Sequence, residues 1–97
     1  MSNAARIGDP TSGHDSFPPT MTSRGSGNVF INGKPVHRLG DSWIPHASPT
    51  PSPPHRDVLA SGSGTVFING KPAGRVGDSG SVGGTITAGS PNVSIGG

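Results

Sequence analysis

The residues of this 97-residue chain best suited to chemistry are four histidines: His14, His37, His46 and His55. Neutral imidazole is a good ligand for zinc and related transition metals. Two of the four share a spacing, since His14 lies five residues after Asp9 and His46 five residues after Asp41. Both aspartates end a Gly-Asp pair. The common offset predicts that these two side chains project toward the same place.

The other two histidines are placed less directly by the pattern. A third loop, after Asp78, has Gly83 at the equivalent position. His55 returns from the far side of the proline-rich middle loop and could fill that place. Three converging imidazoles predict a structural metal site, with zinc as the default ion. The alternative is that these are exposed loop histidines. His37 either completes a tetrahedral set or faces solvent.

An internal repeat must position these loops. The 17 residues from Gly25 to Asp41 recur from Gly62 to Asp78, with 13 identities at an offset of 37. In each copy Val-Phe-Ile is followed by Asn-Gly and then Lys-Pro. Asn-Gly tolerates the positive φ angles of a type I′ turn, so each copy is predicted to be a β-hairpin.

A third copy of the repeat is split between the two ends of the chain. Residues 89–97 match its first half, and residues 5–9 match its second half. Pairing the ends would close a ring of three hairpin units with approximate threefold symmetry and no free sheet edges. We therefore expect a small all-β, pseudo-threefold domain over residues 1–97. Asp9, Asp41 and Asp78 are expected to cap the turns between hairpins.

Composition restricts the class of protein. With 17 Gly, 11 Pro and 28% hydrophobic residues, the chain cannot build a large enzyme core, and disorder is the alternative to a folded ring. Its seven cations are spread along the sequence, so no nucleic-acid partner is expected. The longest apolar run has three residues, which predicts neither a signal peptide nor a membrane span. Because there is no cysteine, a metal would replace disulfides in stabilising the fold.

The pattern resembles the PAAR-repeat family. The resemblance is carried by the opening AARIGD, the TSGH loop, both VFINGKP hairpins and the closing GSPNVSIGG. Membership implies a pointed cone, one monomer of which caps a trimeric β-helical spike in a contractile phage tail or type VI secretion machine. It also implies a location at a virion tail tip or in a secreted apparatus, synthesis in the bacterial cytoplasm and transient contact with the target membrane.

Family proteins hold a metal, usually zinc, near the apex through three histidines and a cysteine. His14, His46 and His55 match the histidine positions, whereas the cysteine would fall near Val82, and this chain has none. The resemblance therefore implies one structural metal ion, zinc or, with nitrogen ligands only, iron. The fourth ligand is His37, a water or nothing.

The leading functional hypothesis is a non-enzymatic tip that sharpens the spike, with no catalytic or organic-cofactor residues. A second is an adaptor that attaches effector cargo to the spike; the chain shows no extension to carry it, so the cargo would be held non-covalently. A metal-dependent hydrolase is the third. The absence of Glu disfavours it, since Asp15 and Asp57 are the only carboxylates beside the histidines. Trp43 and Phe17 are either apex aromatics that meet lipid or core residues shielding the metal.

Overall fold

The computed structural model describes residues 2–15, 17–48 and 53–97, and within these ranges the protein is all-β. No helix in them is long and apolar enough to cross a membrane. Eight strands of two residues form four antiparallel pairs, β1 with β8, β2 with β3, β4 with β5 and β6 with β7. The strands are β1 (Ser2–Asn3), β2 (Pro10–Thr11), β3 (Thr20–Met21), β4 (Phe30–Ile31), β5 (Lys34–Pro35), β6 (Phe67–Ile68), β7 (Lys71–Pro72) and β8 (Ser94–Ile95).

The two complete repeats form the predicted hairpins. β4 pairs with β5 and β6 with β7, each across a two-residue Asn-Gly turn. The turn residues have positive φ angles, 55° at Asn32 and 76° at Gly33, and 56° at Asn69 and 77° at Gly70. Positive φ at both central positions defines the type I′ turn, so the turn prediction is confirmed.

The two ends of the chain form the third hairpin. β1 pairs with β8 in the register Ser2↔Ile95 and Asn3↔Ser94. The backbone N–H of Ala4 extends the pairing by donating to the carbonyl of Val93 at 2.9 Å. The predicted closure of the ring by the chain ends is thus confirmed.

A triangle of backbone hydrogen bonds joins the three units at their centre. Ala5 N–H donates to the Gly74 carbonyl, Gly74 N–H to the His37 carbonyl and His37 N–H to the Ala5 carbonyl, at 2.9, 2.8 and 3.0 Å. Ala5 and His37 have no exposed surface. Residue 74 must be glycine, because a Cβ there would lie 2.8 Å from the Leu59 side chain and 3.0 Å from the His37 carbonyl.

The turns after the triangle are held by three equivalent Arg-Asp pairs. In each, the Asp carboxylate accepts from the backbone N–H of the arginine three residues earlier, at 2.7 to 2.9 Å, and from its guanidinium. These hydrogen bonds raise the pKa of each arginine. The aspartates build turns as the sequence predicts. The pairs are Arg6–Asp9, Arg38–Asp41 and Arg75–Asp78.

The apolar core is small and divided. One cluster consists of Ala5, Trp43, Leu59 and Ile86, and another of Ala4, Ala73 and Ile95. Trp43 is only 1% exposed, which places it in the core and not at a lipid-facing surface. Because so little apolar surface is buried, backbone and side-chain hydrogen bonds carry much of the specificity of the fold.

One pair of strands was not expected from the sequence. In the segment between Pro10 and Met21, β2 pairs with β3 in the register Pro10↔Met21 and Thr11↔Thr20. The segment has three prolines and no Asn-Gly, so local turn signals favour a loop. Pairing is imposed by the neighbouring units instead: the Ser12 N–H donates to Thr85 O, and the Thr20 hydroxyl donates to Ile44 O.

Candidate metal centre

Local backbone pairing positions the three loop histidines. His14 lies beyond the β2–β3 pair, where it exchanges backbone hydrogen bonds with Phe17 at 3.1 and 2.8 Å. His46 and His55 face each other across the middle loop and exchange backbone bonds at 3.1 and 3.2 Å. The prolines at 49 and 51, part of the proline-rich loop predicted from the sequence, lie outside the described residues. The backbone of each of these histidines is thus held in place by its own antiparallel hydrogen bonds.

The three imidazoles meet in one group. Their ring centroids lie 5.0 Å apart for His14 and His46, 4.9 Å for His14 and His55, and 4.6 Å for His46 and His55. One donor atom of each ring, together with a carboxylate oxygen of Asp57, falls within 4.8 Å of all the others. This group of three histidines and one aspartate could bind a metal ion.

The hydrogen bonds of His46 fix its tautomer. Its Nδ1 lies 2.7 Å from the carbonyl oxygen of Pro18, to which only a protonated nitrogen can donate. Nε2 is then the lone-pair nitrogen, and it is buried with no hydrogen-bond partner. A ligating histidine commonly donates its other ring N–H to a backbone carbonyl in this way.

The other members of the group also have buried polar atoms without hydrogen-bond partners. The atoms that are buried without a partner are both ring nitrogens of His14, both ring nitrogens of His55 and both carboxylate oxygens of Asp57. More than nine in ten buried polar groups in proteins are hydrogen-bonded, so seven such atoms in one group, including His46 Nε2, need an explanation. A cation coordinated by nitrogen and oxygen donors supplies one, and the residues therefore fit a metal.

Phe17 covers one side of the group. Its ring centroid lies 4.2 Å from that of His55, 5.1 Å from that of His46 and 5.3 Å from that of His14. An aromatic ring in contact with all three imidazoles limits the approach of water to them. Of the two interpretations of Phe17, the geometry favours shielding of the group.

The fourth histidine does not join this group. His37 has no exposed surface, so the expectation that it faces solvent is wrong. Its Nδ1 donates to the carbonyl of Arg24 at 2.7 Å, and its Nε2 accepts from Trp43 Nε1–H at 3.1 Å. Burial lowers its pKa. The equivalent residue of the second repeat is Gly74. Because it has no side chain, the space beside the axis is left to the His37 ring.

The last loop contributes no donor side chain to the group. A Cβ at Gly83 would lie 3.2 Å from the His14 ring, and Gly84 also approaches this ring. Val82, near which the family cysteine would fall, is 52% exposed. Asp57 was not identified as a ligand from the sequence. The sequence offered one indication, its position two residues after His55, but the burial of the carboxylate cannot be seen in a sequence.

A comparison with models of known protein families matches this chain to one family. The family model described as PAAR motif matches residues 16–80, about two thirds of the chain. The chain belongs to the PAAR-motif family. Membership supports a role related to the spike tip of contractile injection systems. A search of curated proteins finds no match to this PAAR protein.

A basic groove on one face of the PAAR protein corrects the expectation that its cations are dispersed. Four of them surround a groove of about 370 Å³. Arg38 is paired with Asp41 across 2.9 Å. The repeat gives Ser61 in place of Arg24, so the second unit lacks that charge. The groove is therefore a departure from threefold symmetry. Its cations are Arg24, Arg38, Arg56 and Lys71.

Proposed function

We propose that this protein is the structural tip of a contractile injection machine, where one monomer caps the end of a trimeric β-helical spike and sharpens it for piercing an envelope. The observation that supports this most directly is the ring of three hairpin units joined by the backbone triangle. A monomer with three near-equivalent edges offers a similar contact to each chain of a threefold partner.

The proposed contact surface lies on the hairpins. Phe30 and Phe67 occupy the same position in the two complete repeats, and each is 55% exposed. Ser94 is exposed at the third equivalent position. Each return segment runs from its hairpin through the triangle to its Gly-Asp turn, so the hairpins share one end and the histidine loops the other. The molecule is elongated, 39 Å by 24 Å by 21 Å.

The metal centre would stabilise the loop end. We propose His14, His46 and His55 as ligands of one structural ion, zinc or iron, and leave out His37 because both of its ring nitrogens have partners. Structural zinc contributes roughly 10–16 kcal/mol of apparent binding free energy in small domains. That is comparable to the whole stability of a small domain, about 5–15 kcal/mol. Residues 1–97 would then form one PAAR-repeat domain.

A hydrolytic role is disfavoured by the donor set. Catalytic zinc sites keep one coordination position open for water, whereas closed four-donor sites are structural. The group here offers four donors and is covered by Phe17. The sequence contains no glutamate to act as a general base.

The test is binding to a trimeric β-helical spike of a contractile tail. We expect co-expression to give a complex of one monomer with one spike trimer by native mass spectrometry. Phe30→Asp with Phe67→Asp should weaken the complex by about 100-fold or more, because two central aromatic contacts are lost and charges are buried. Affinity is measured by interferometry on the immobilised trimer.

The control is Val82→Asp, which places one such charge among the loops at an apolar position that is 52% exposed, close to the 55% of each phenylalanine. It should bind the spike like the unaltered protein. Equal weakening by the hairpin and loop variants, or a stoichiometry of three monomers per trimer, would contradict the proposed mode of capping.

A further inference from the structure

The five aspartates of the chain differ in what neutralises them. Three are paired with arginines in the turns, and Asp15 is 88% exposed. Asp57 is 1% exposed, and neither of its carboxylate oxygens accepts a hydrogen bond from the described residues. Taking a carboxylate out of water costs several kcal/mol unless a cation or hydrogen-bond donors compensate it. Asp57 is therefore the one aspartate of the described chain whose environment calls for a further positive charge.

The groups nearest to that carboxylate are imidazoles of the metal group. Asp57 Oδ1 lies 2.9 Å from His55 Nδ1, and Oδ2 lies 3.8 Å from His14 Nε2. The first pair is close but is not aligned as a hydrogen bond, since both atoms lack a partner. Donor atoms about 2.0–2.2 Å from a tetrahedral ion lie a little over 3 Å from one another. The two observed separations, each to a different oxygen of the carboxylate, lie on either side of this value.

We propose that Asp57 is the fourth ligand of the metal ion, in the role that the family gives to a cysteine. This rests on the metal centre proposed above and assigns the position which the missing cysteine leaves open. The ion would be held by three imidazole nitrogens and one carboxylate oxygen, all from this chain. With a divalent ion and neutral histidines, the buried group carries a net charge of one.

The neighbouring loop leaves room for Asp57 to reach this place. Gly80 packs against it so closely that a Cβ there would lie 2.9 Å from Asp57 Oδ2 and 2.6 Å from the Trp43 ring. The backbone is held as well, because Trp43 N–H donates to the Asp57 carbonyl at 2.9 Å. The carboxylate thus occupies a position prepared by two other segments, while Val82 remains exposed.

A carboxylate in place of a thiolate changes the chemistry of the site. Thiolates favour soft ions, whereas nitrogen and oxygen donors accept zinc, iron(II) and cobalt(II) without such a preference. A site without sulfur also has no ligand that oxidants convert to sulfenic acid or a disulfide. We therefore expect metal retention in hydrogen peroxide that would release metal from a cysteine-containing site.

The test uses cobalt(II) as a spectroscopic probe of the ligands. Protein purified metal-free and loaded with cobalt should show no thiolate-to-cobalt charge-transfer band in the near ultraviolet. Asp57→Cys should show this band at one cobalt per chain, because its thiolate would sit in the coordination sphere. Asp57→Ala should lower cobalt affinity by at least about 100-fold, more than the usual effect of losing an outer partner of a ligand.

Asp15→Asn is the matched control, because Asp15 also lies beside a histidine, 3.7 Å from His14 Nδ1, yet is exposed. It should keep its cobalt affinity. If Asp57→Ala does not fold, Asp57→Asn and Asp57→Cys supply the same comparison.

The proposal is overturned if Asp57→Asn binds cobalt within about tenfold of the unaltered protein and Asp57→Cys shows no charge-transfer band; Asp57 would then only orient His55. Failure of the whole metal centre looks different. In that case His14→Ala, His46→Ala and His55→Ala would also leave metal content and melting temperature unchanged.

Discussion

The contrast between His37 and His46 shows that the role of an imidazole depends on the partners of its two ring nitrogens. Both are buried, and both donate Nδ1–H to a backbone carbonyl at 2.7 Å. They differ at Nε2, which accepts from Trp43 in His37 and has no partner in His46. His37 is therefore a satisfied core residue, whereas His46 has a lone pair directed into the metal group.

The buried state of His37 predicts acid sensitivity. Burial lowers its pKa, and the Arg24 carbonyl and the charge of Asp41, which favour the imidazolium, do not cancel that effect, while Arg38 adds to it. In the unfolded chain an ordinary histidine takes up a proton below about pH 6.5. The folded protein takes up this proton only at a lower pH. The stability contributed by neutral His37 is therefore complete above about pH 6.5, and it is lost as the pH falls from there to the lowered pKa.

His37→Gln should remove this contribution. Between about pH 6.5 and the lowered pKa, its free energy of unfolding should fall less steeply with acid, by up to about 1.4 kcal/mol per pH unit for one proton. Urea titrations of both proteins at fixed metal loading measure the slopes. Identical slopes would show that the ring is not held neutral.

Sequence alone went part of the way at the residue scale. The Gly-Asp offset placed His14 and His46 together, and the vacancy at Gly83 suggested His55. Asp57 was not found, because an aspartate two residues after a histidine is usually solvated in a loop. What distinguishes it is burial against Gly80, which depends on contacts between loops far apart in the sequence.

The three hairpin units are linked in a cycle by serine side chains. The hydroxyl of Ser26 accepts from backbone N–H groups of its own hairpin and donates to Asn69 Oδ1 in the second turn, at 2.6 Å. Ser90 does the same and donates to Asn32 Oδ1 at 2.6 Å. Ser63 donates to the Gly96 carbonyl at 2.6 Å. Each serine thus joins its unit to the turn of the next.

Removal of one such hydroxyl should cost similar stability at equivalent sites. Ser26→Ala and Ser90→Ala should each lower the free energy of unfolding by about 1–3 kcal/mol, because two backbone N–H groups lose their acceptor and the link to the next unit is lost. Guanidinium unfolding followed by circular dichroism measures this. Ser94→Ala, at an exposed strand position, should change it by less than about 0.5 kcal/mol. Equal effects of all three would argue against the serine links.

Hairpins with a local turn signal, or with residues that repeat those of such a hairpin, were predicted from the sequence, and the β2–β3 pair, which has neither, was not. Asn-Gly at residues 32–33 and 69–70 specified the two hairpins because few other residue pairs adopt two positive φ angles cheaply. The β2–β3 pair has no comparable signal. It forms because the groups of residues 12 and 20 bond to other units, which a reading of its own residues does not reveal.

At the scale of the whole molecule, Gly97 has the backbone conformation of the second turn residue in the two complete hairpins. Gly97 has a φ of 75°, close to the 76° and 77° of Gly33 and Gly70 in the two complete turns. Ser2 and Ile95 are paired as Lys34 and Ile31 are. We therefore expect the ring to fold equally well when it is opened at another of its hairpin turns.

A circular permutant tests this equivalence. Joining Gly97 to Ser2 and opening the chain between Asn69 and Gly70 should give a folded protein with a melting temperature within about 5 °C of the original, since exposed turns tolerate new termini. Opening the chain between Val36 and His37 should prevent folding, because it cuts the backbone at the triangle. Metal content and thermal melts report both outcomes. Failure of the first permutant to fold would contradict the equivalence of the three hairpins.

The backbone triangle also lies across the pseudo-threefold axis of the protein. Its three N–H and three carbonyl groups are used on each other, and the residues around them, Ala5 and His37, have no exposed surface. Buried residues joined in this way close the axis at this layer. If the protein caps a spike as proposed above, material that moves along the axis behind it must leave sideways or wait until the tip is released. In that proposed role, release of the tip would precede axial delivery.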